Sequence, residues 1–478
     1  MSTETEYKNE EYRDRMSNIS EEGKRIWIYP KKPSGKFYKA RSIVSYFLIA
    51  FLFIGPFIRV GGHQFILLDV LQRNFVLFGI PFGPHDFHLF VIAMIAIIIS
   101  IFLFTVVYGR IFCGWICPQT VFMEMVFRKI EYLIEGNYKK QQALDKAPWT
   151  SEKIFKKSLK HIIFYGLSFL ISNIFLAYII GSDKLIKIIS APPSEHFAGL
   201  TAILIFSGVF YFVFARFREQ ACTMVCPYGR LQGVMLDPNS IVIAYDYLRG
   251  EPRGVSKKNE PEDTYGDCVN CNQCVEVCPT GIDIRNGTQL ECVNCTNCID
   301  ACDEVMTKVK KPKGLIRYAS LNDIQKKGHK YFSPRAIGYT VVLFVLYGLL
   351  AFLLLNRSDF ELAILRTPGM LFQQQPNNKI SNLYDFTLTN KTFDTIPAEL
   401  KLKGIKGEIK VIGSDLKVKP EQTIVAKVMV VLPENEIKQL NTPLQIEVTA
   451  KGKPIDVIKT SFLGKVKKGM RKRHRHKR

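Results

Sequence analysis

A chain of 478 residues with a formal net charge of +22 is too long for one ordinary domain and basic enough to raise the question of a nucleic-acid partner. The placement of the charge excludes that partner, because Lys and Arg alternate between rich and poor loops around five apolar stretches instead of gathering on one surface. All 12 cysteines fall in four short groups with none left over, which points to electron transfer or metal chemistry and away from a disulfide framework.

Residues 1–41 are expected to form a cytoplasmic N-terminal arm. Its start, MSTETEYKNEEYRDR, is polar and charged and lacks the pattern of a cleavable signal peptide, so the first apolar stretch should persist as an anchor. The segment Lys24–Lys39 mixes aromatic and turn residues and is expected to lie on the membrane surface.

A bilayer crossing takes about 20 apolar residues. Stretches of that length are expected at Ser42–Val60, Phe87–Tyr108, Leu159–Ile180, Phe197–Phe217 and Ala336–Leu355. Four of them make up residues 42–217, and the fifth is residues 336–356. The loops before the first span, between the second and third, and between the fourth and fifth are basic, while the others are poor in Lys and Arg. The positive-inside rule then places the N-terminus in the cytoplasm and, after five spans, the C-terminus outside. Charge that sets topology accounts for the high pI.

Spans two and four end alike, on a basic residue followed by C-x-x-x-C-P: Cys113 and Cys117 before Pro118, and Cys222 and Cys226 before Pro227. In a helix, residues i and i+4 share a face, so each pair is expected to aim two sulfurs together, with Pro ending or kinking the helix. Three functions fit: a soft-metal site for Cu(I), a thiol–disulfide relay, or ligands of a further iron–sulfur cluster. Small apolar packing residues are the plain alternative, and metal handling is preferred over a further cluster. Met123, Met125, Met224 and Met235 are nearby soft donors, although lone methionines more often fill a core.

Residues 218–335 form a cytoplasmic insert with a ferredoxin-like part at about 258–312. It holds two C-x-x-C-x-x-C-x-x-x-C runs, Cys268, Cys271, Cys274, Cys278 and Cys292, Cys295, Cys298, Cys302. This is the ligand spacing of cubane [4Fe–4S] clusters, in which the fourth Cys of each run serves the other cluster. Cluster 1 is therefore expected on Cys268, Cys271, Cys274 and Cys302, and cluster 2 on Cys292, Cys295, Cys298 and Cys278. Zinc is disfavoured because its sites use two separated C-x-x-C pairs. Asn270, Asn272, Gln273, Asn294, Thr296 and Asn297 suit tight turns around sulfur, and Asp267, Glu276, Asp283, Glu291, Asp300, Asp303 and Glu304 would tend to lower the potentials.

Residues 357–465 contain alternating segments such as TIVAKVMVVLP and PLQIEVTAK between Asn, Gly, Pro and Lys groups, and predict an immunoglobulin-like β-sandwich outside the membrane. The basic tail, 466–478, carries no functional expectation. His63, His85, His88 and His196 map to the outer face, where ordinary polar contacts are preferred to a copper or quinone role. His88 and His161 fall at opposite faces and would not sandwich a haem. Asp69 and Arg73 are expected to form an ion pair.

The whole series carries a resemblance: RIWIYP in the arm, Cys113-Gly114-Trp115-Ile116-Cys117-Pro118 after span two, Cys222-Thr223-Met224-Val225-Cys226-Pro227 after span four, the double ferredoxin run, a fifth span and a sandwich. From about Arg25 to Leu463 the chain resembles the cytochrome c oxidase accessory family CcoG, also called FixG or RdxA. That resemblance implies a multi-domain protein of the bacterial inner membrane that serves assembly of a cbb3-type oxidase by reducing Cu(II) to Cu(I). The C-x-x-x-C-P cysteines become candidates for the copper or electron-exit site. Implied partners are membrane lipid, oxidase subunits or copper-delivery proteins, and an unidentified cytoplasmic electron donor. The competing functions are a general membrane electron conduit and a non-catalytic copper chaperone or assembly scaffold.

Overall fold

The computed structural model describes residues 19–20, 22, 24–70, 74–255, 265–325, 334–413, 416–420, 422–437, 439–450 and 453–465. Arg73, the expected partner of Asp69, and the tail 466–478 lie outside them.

Five helices are long and apolar enough to cross a membrane: Lys36–Phe57, Pro84–Tyr108, Ser151–Ile180, Phe197–Phe217 and Pro334–Leu355. Large apolar side chains such as Phe47, Ile97, Phe344 and Leu355 are exposed on them, as lipid-facing surfaces require. The first helix starts before the expected Ser42, so Arg41 lies inside it, fully buried. It stops short of Val60 because the chain tightens into a 3₁₀ turn over Gly55–Phe57 and becomes extended at Ile58. The third runs back to Ser151 because Thr150 caps it, its hydroxyl accepting from the Lys153 N–H.

The chain separates into two compact units. One comprises the chain up to Ile58 together with Val91–Leu350; the other comprises Arg59–Phe90 together with the chain from Ala351. The loop between the first two spans, expected as a connection within 42–217, thus folds with the C-terminal residues. Asp86 accepts from Arg357 at 2.8 Å and Lys391 at 2.9 Å, and the His63 ring stacks on Phe393 at 3.6 Å. His85 Nε2 lies 3.0 Å from the Thr423 hydroxyl. His63 and His85 are therefore engaged in packing and polar contacts.

In this second unit a five-stranded and a four-stranded antiparallel sheet form the sandwich. Lys379–Asn390 is central in the first, between Phe360–Arg366 and Thr423–Pro433. Ile396–Lys403 and Asn441–Ala450 are central in the second. Alternate residues point inward, Tyr384, Phe386 and Leu388 meeting Val428, Val430, Leu444, Ile446, Val448 and Phe462. The Tyr384 hydroxyl donates to the Ser461 carbonyl at 2.9 Å, joining the sheets.

In the first unit the ferredoxin-like part extends beyond 258–312. Strand Val242–Tyr245 pairs with Ile316–Ala319, and Ile243, Ile284, Ile299, Met306 and Leu315 share one core with the cysteine runs. Pro279 follows the short helix Gln273–Glu276, whereas Asp303 lets the helix Asn297–Lys308 run through Cys298 and Cys302. The arm packs on the rest of the first unit. Lys31 N–H donates to the Glu276 carbonyl at 2.7 Å, and Arg25 pairs with Glu219 at 2.8 Å. The Asp300 carboxylate accepts from the N–H groups of Phe37 and Tyr38, capping the first span.

Candidate redox site

The fourth cysteine of each ferredoxin run lines the pocket of the other run. One pocket is lined by Cys268, Cys271, Cys274 and Cys302. Another is lined by Cys278, Cys292, Cys295 and Cys298, with Cys274 between the two. The turns that wrap them need left-handed backbone at equivalent places: Asn270 and Asn272 in the first run, Asn294 and Thr296 in the second, with φ of 53, 56, 53 and 65°. Asn visits this region readily, while a β-branched Thr does so at a cost.

Among the described residues no three Cys, His, Asp or Glu side chains close on a point as ligands of one ion. Sulfurs spread around a pocket suit a multi-atom cube instead. An orphaned cation supports that fit. Arg41 is 1% exposed, its Nη1 donates to the Cys295 carbonyl at 2.5 Å, and its Nε and Nη2 have no partner. A buried cation so placed matches an anionic thiolate-bound group. Burial, first among the causes, pushes the Cys274, Cys292 and Cys302 thiols up to about 12, with neighbouring cysteines adding to it. These thiols stay protonated without metal, and binding must displace their protons.

Several acids that would depress the potentials are engaged. Asp267 pairs with Arg249 at 2.5 Å and Lys311 at 3.4 Å, and Asp283 pairs with Arg285 at 2.6 Å. Asp303 accepts from the Gly314 N–H at 2.9 Å.

The C-x-x-x-C-P pairs do not ride on continuous helices. Cys113 lies in the short helix Ile111–Trp115 and Cys222 in a π turn over Ala221–Val225. The backbone then opens at Cys117 (ψ 124°) and Cys226 (ψ 111°), and Pro118 and Pro227 begin new helices. Proline fits a first turn because the missing N–H is unneeded there. The expected shared helical face is thus replaced by a break at the second cysteine. Both breaks have the same bond, Cys117 N–H to the Phe112 carbonyl and Cys226 N–H to the Ala221 carbonyl, each at 2.9 Å. The repeat is structural.

All four thiols nevertheless share one neighbourhood. Cys222 is within electrostatic reach of Cys117, Cys113 and Cys226, and Cys113 of Cys117 and Cys226. Burial pushes Cys113 up to about 11 and Cys222 to about 12. Met123 and Met125 are buried core residues in the π turn Met123–Phe127, which leaves Met224, exposed, as a different case.

The second ferredoxin run sits against this quartet. A Cβ on Gly114 would lie 2.5 Å from the Val293 carbonyl oxygen, so only glycine allows the approach. Trp115 Nε1 donates to the Tyr318 hydroxyl at 3.2 Å, and that hydroxyl donates to the Asn294 carbonyl at 3.4 Å. Arg110, 5% exposed, holds two segments at once: the helix Pro227–Met235, through the Gly229 carbonyl and the Gln232 side chain at 2.5 Å, and the second cysteine run, through the carbonyls of Leu290 and Cys292, the last at 3.3 Å. The Cys113 thiol donates to the same Gln232 oxygen at 3.4 Å. Sequence reading missed Arg41 and Arg110, which were counted as topology charges. Adjacency of Arg110 to the first C-x-x-x-C-P motif was the available signal.

Residues 217–321 match the family described as a 4Fe-4S dicluster domain, 90–140 a 4Fe-4S binding domain, and 350–465 the IG-like fold at the C-terminus of FixG. Nitrogen fixation protein FixG of Rhizobium meliloti is 32% identical over 472 residues, covering 87% of this chain and 88% of that protein. Protein RdxA of Cereibacter sphaeroides is 31% identical, covering 91% and 97%, and protein RdxB of the same organism is 34% identical, covering 77% and 80%. With its five apolar helices, two ferredoxin runs and C-terminal sandwich, this chain is an iron–sulfur membrane redox protein and belongs to the FixG/RdxA family.

Proposed function

We propose that this chain is an oxidoreductase of the bacterial inner membrane that reduces Cu(II) to Cu(I) for maturation of a cbb3-type cytochrome c oxidase. Cys268, Cys271, Cys274 and Cys302 hold one [4Fe–4S] cluster, and Cys292, Cys295, Cys298 and Cys278 hold the other. Such clusters supply one-electron transfer. The N-terminus and both cluster sites face the cytoplasm, where an electron donor docks, and the sandwich faces the periplasm, within reach of oxidase subunits or copper-delivery proteins.

The observation that carries this reading is that Cys113, Cys117, Cys222 and Cys226 lie within electrostatic reach of one another, with Gly114 packed on the Val293–Asn294 backbone of the second run. Four soft donors there give Cu(II) a place to accept an electron and favour the Cu(I) product. Copper is the substrate, so no resident copper site is required of them.

The test is Cu(II) reduction by the reduced, purified full-length protein, read with a Cu(I)-specific chelator. Stoichiometric Cu(I) formation, lost in Cys117→Ser and Cys226→Ser with iron content unchanged, supports it. Absence of reduction by protein with intact clusters refutes it.

A further inference from the structure

The two cysteine sets differ in the charge that surrounds them. Beside Cys268, Cys271, Cys274 and Cys302 the guanidinium that lines their pocket is Arg285. Its charge is already met by Asp283 at 2.6 Å, and its remaining bonds go to Asn270 and Asn272 at 2.7 Å each. Beside Cys278, Cys292, Cys295 and Cys298 stand two guanidiniums with no carboxylate among their partners in the described residues. Arg41 reaches the Cys295 carbonyl and Arg110 the Cys292 carbonyl. Neither nearby acid is paired with them: the Asp300 carboxylate accepts from the helix N–H groups of Phe37 and Tyr38, and Glu291 is partly exposed.

A thiolate-bound cubane is anionic and becomes more so on reduction, so uncompensated buried cations favour its reduced form. Low local dielectric makes the effect larger than it is at a surface. The second set is also the one docked on Gly114 and the thiol quartet, while Cys271 of the first set is exposed.

We propose that Arg41 and Arg110 are positioning residues that raise the potential of the cluster on Cys278, Cys292, Cys295 and Cys298 above that of its neighbour, making it the exit cluster. An electron entering at the exposed Cys271 side from a one-electron donor protein then moves downhill toward the membrane face. One cluster is oxidised as the other is reduced, and no proton is transferred. This rests on the ligand sets above and not on copper as the acceptor.

The test is a redox titration of the full-length protein in detergent, followed by electron paramagnetic resonance, with no copper present. Wild type should show two reduction waves. Arg41→Gln and Arg110→Gln should each lower the upper wave and leave the lower one in place, whereas Arg41→Lys and Arg110→Lys, which keep the charge, should hold the upper wave near its original position. Cys295→Ser should alter the upper-wave species. If a Gln variant loses iron, the matching Lys variant decides. An upper wave that stays in both Gln variants, that falls in Lys variants as far as in Gln variants, or that is untouched by Cys295→Ser overturns the proposal. Copper reduction can fail with these shifts intact, and the shifts can fail with copper reduction intact, so the two readings are separable.

Discussion

Arg218 donates to Glu131 through both arms of its guanidinium, Nη1 at 3.0 Å from Oε2 and Nη2 on Oε1, with both side chains buried. Glu131 follows the first C-x-x-x-C-P motif and Arg218 precedes the second, so one fork-to-fork pair ties together the segments that carry the four thiols. Arg218 reaches it from a left-handed backbone at φ 50°, and Lys160 adds a contact to Glu131 at 3.3 Å.

Removing one member leaves a buried charge alone. Glu131→Gln should destabilise the protein by about 3–5 kcal/mol, read as a lowered unfolding temperature in detergent. An unchanged temperature would mean the pair is not buried in the folded protein.

The same pair sets a pH dependence. Burial alone would raise the Glu131 pKa, but Arg218, then Lys160 and Arg128, outweigh it and hold it at about 2, against an ordinary 4.5. The folded value is depressed, so this stability is full above 4.5, declines below it, and is gone by about pH 2. Thermal unfolding between pH 7 and pH 3 should show the loss in wild type and a shallower one in Glu131→Gln.

The exchange of fourth cysteines is testable by iron content. Wild type should hold about eight irons per chain. With Cys268 and Cys302 on one cluster, Cys268→Ser/Cys302→Ser should keep about half the iron, as Cys268→Ser alone does. If each run served its own cluster, the double variant would damage both.

Gly114→Ala probes the docking of the second run. Its Cβ would meet the Val293 and Asn294 carbonyl oxygens at 2.5 and 2.8 Å, and backbone cannot yield as a side-chain tip does. A cost of about 1–3 kcal/mol is expected. Maleimide labelling of Cys113 in the metal-free protein should speed up as the Gln232 and Arg110 contacts loosen.

In the second unit, Asp86→Asn should leave Arg357 and Lys391 without their shared carboxylate. The sandwich should unfold at lower temperature while iron content stays at the wild-type value. A fall in iron would show that Asp86 acts on the cluster sites as well.

Cysteine spacing made the two iron–sulfur runs readable because a cubane loop is local, its three corners within seven residues. Span positions were readable for a similar reason, since a bilayer demands an uninterrupted apolar run. Period-two alternation likewise revealed the sandwich, because each strand's inward face repeats along its own sequence. What needed tertiary structure was long-range. A lysine or arginine in a basic loop looks the same in sequence whether it faces water or a buried sulfur, and only packing separates Arg41 and Arg110 from the rest. The i, i+4 reading of the C-x-x-x-C-P pairs failed because Pro118 and Pro227 start helices instead of ending them, and their extended predecessors are held by bonds five residues back. The loop Arg59–Phe90 joined the sandwich through Asp86 and His63, side chains whose partners lie some 300 residues away. Local pattern determined which groups this chain can hold; long-range contacts decided which cysteine run packs beside the C-x-x-x-C-P motifs and what charge surrounds it.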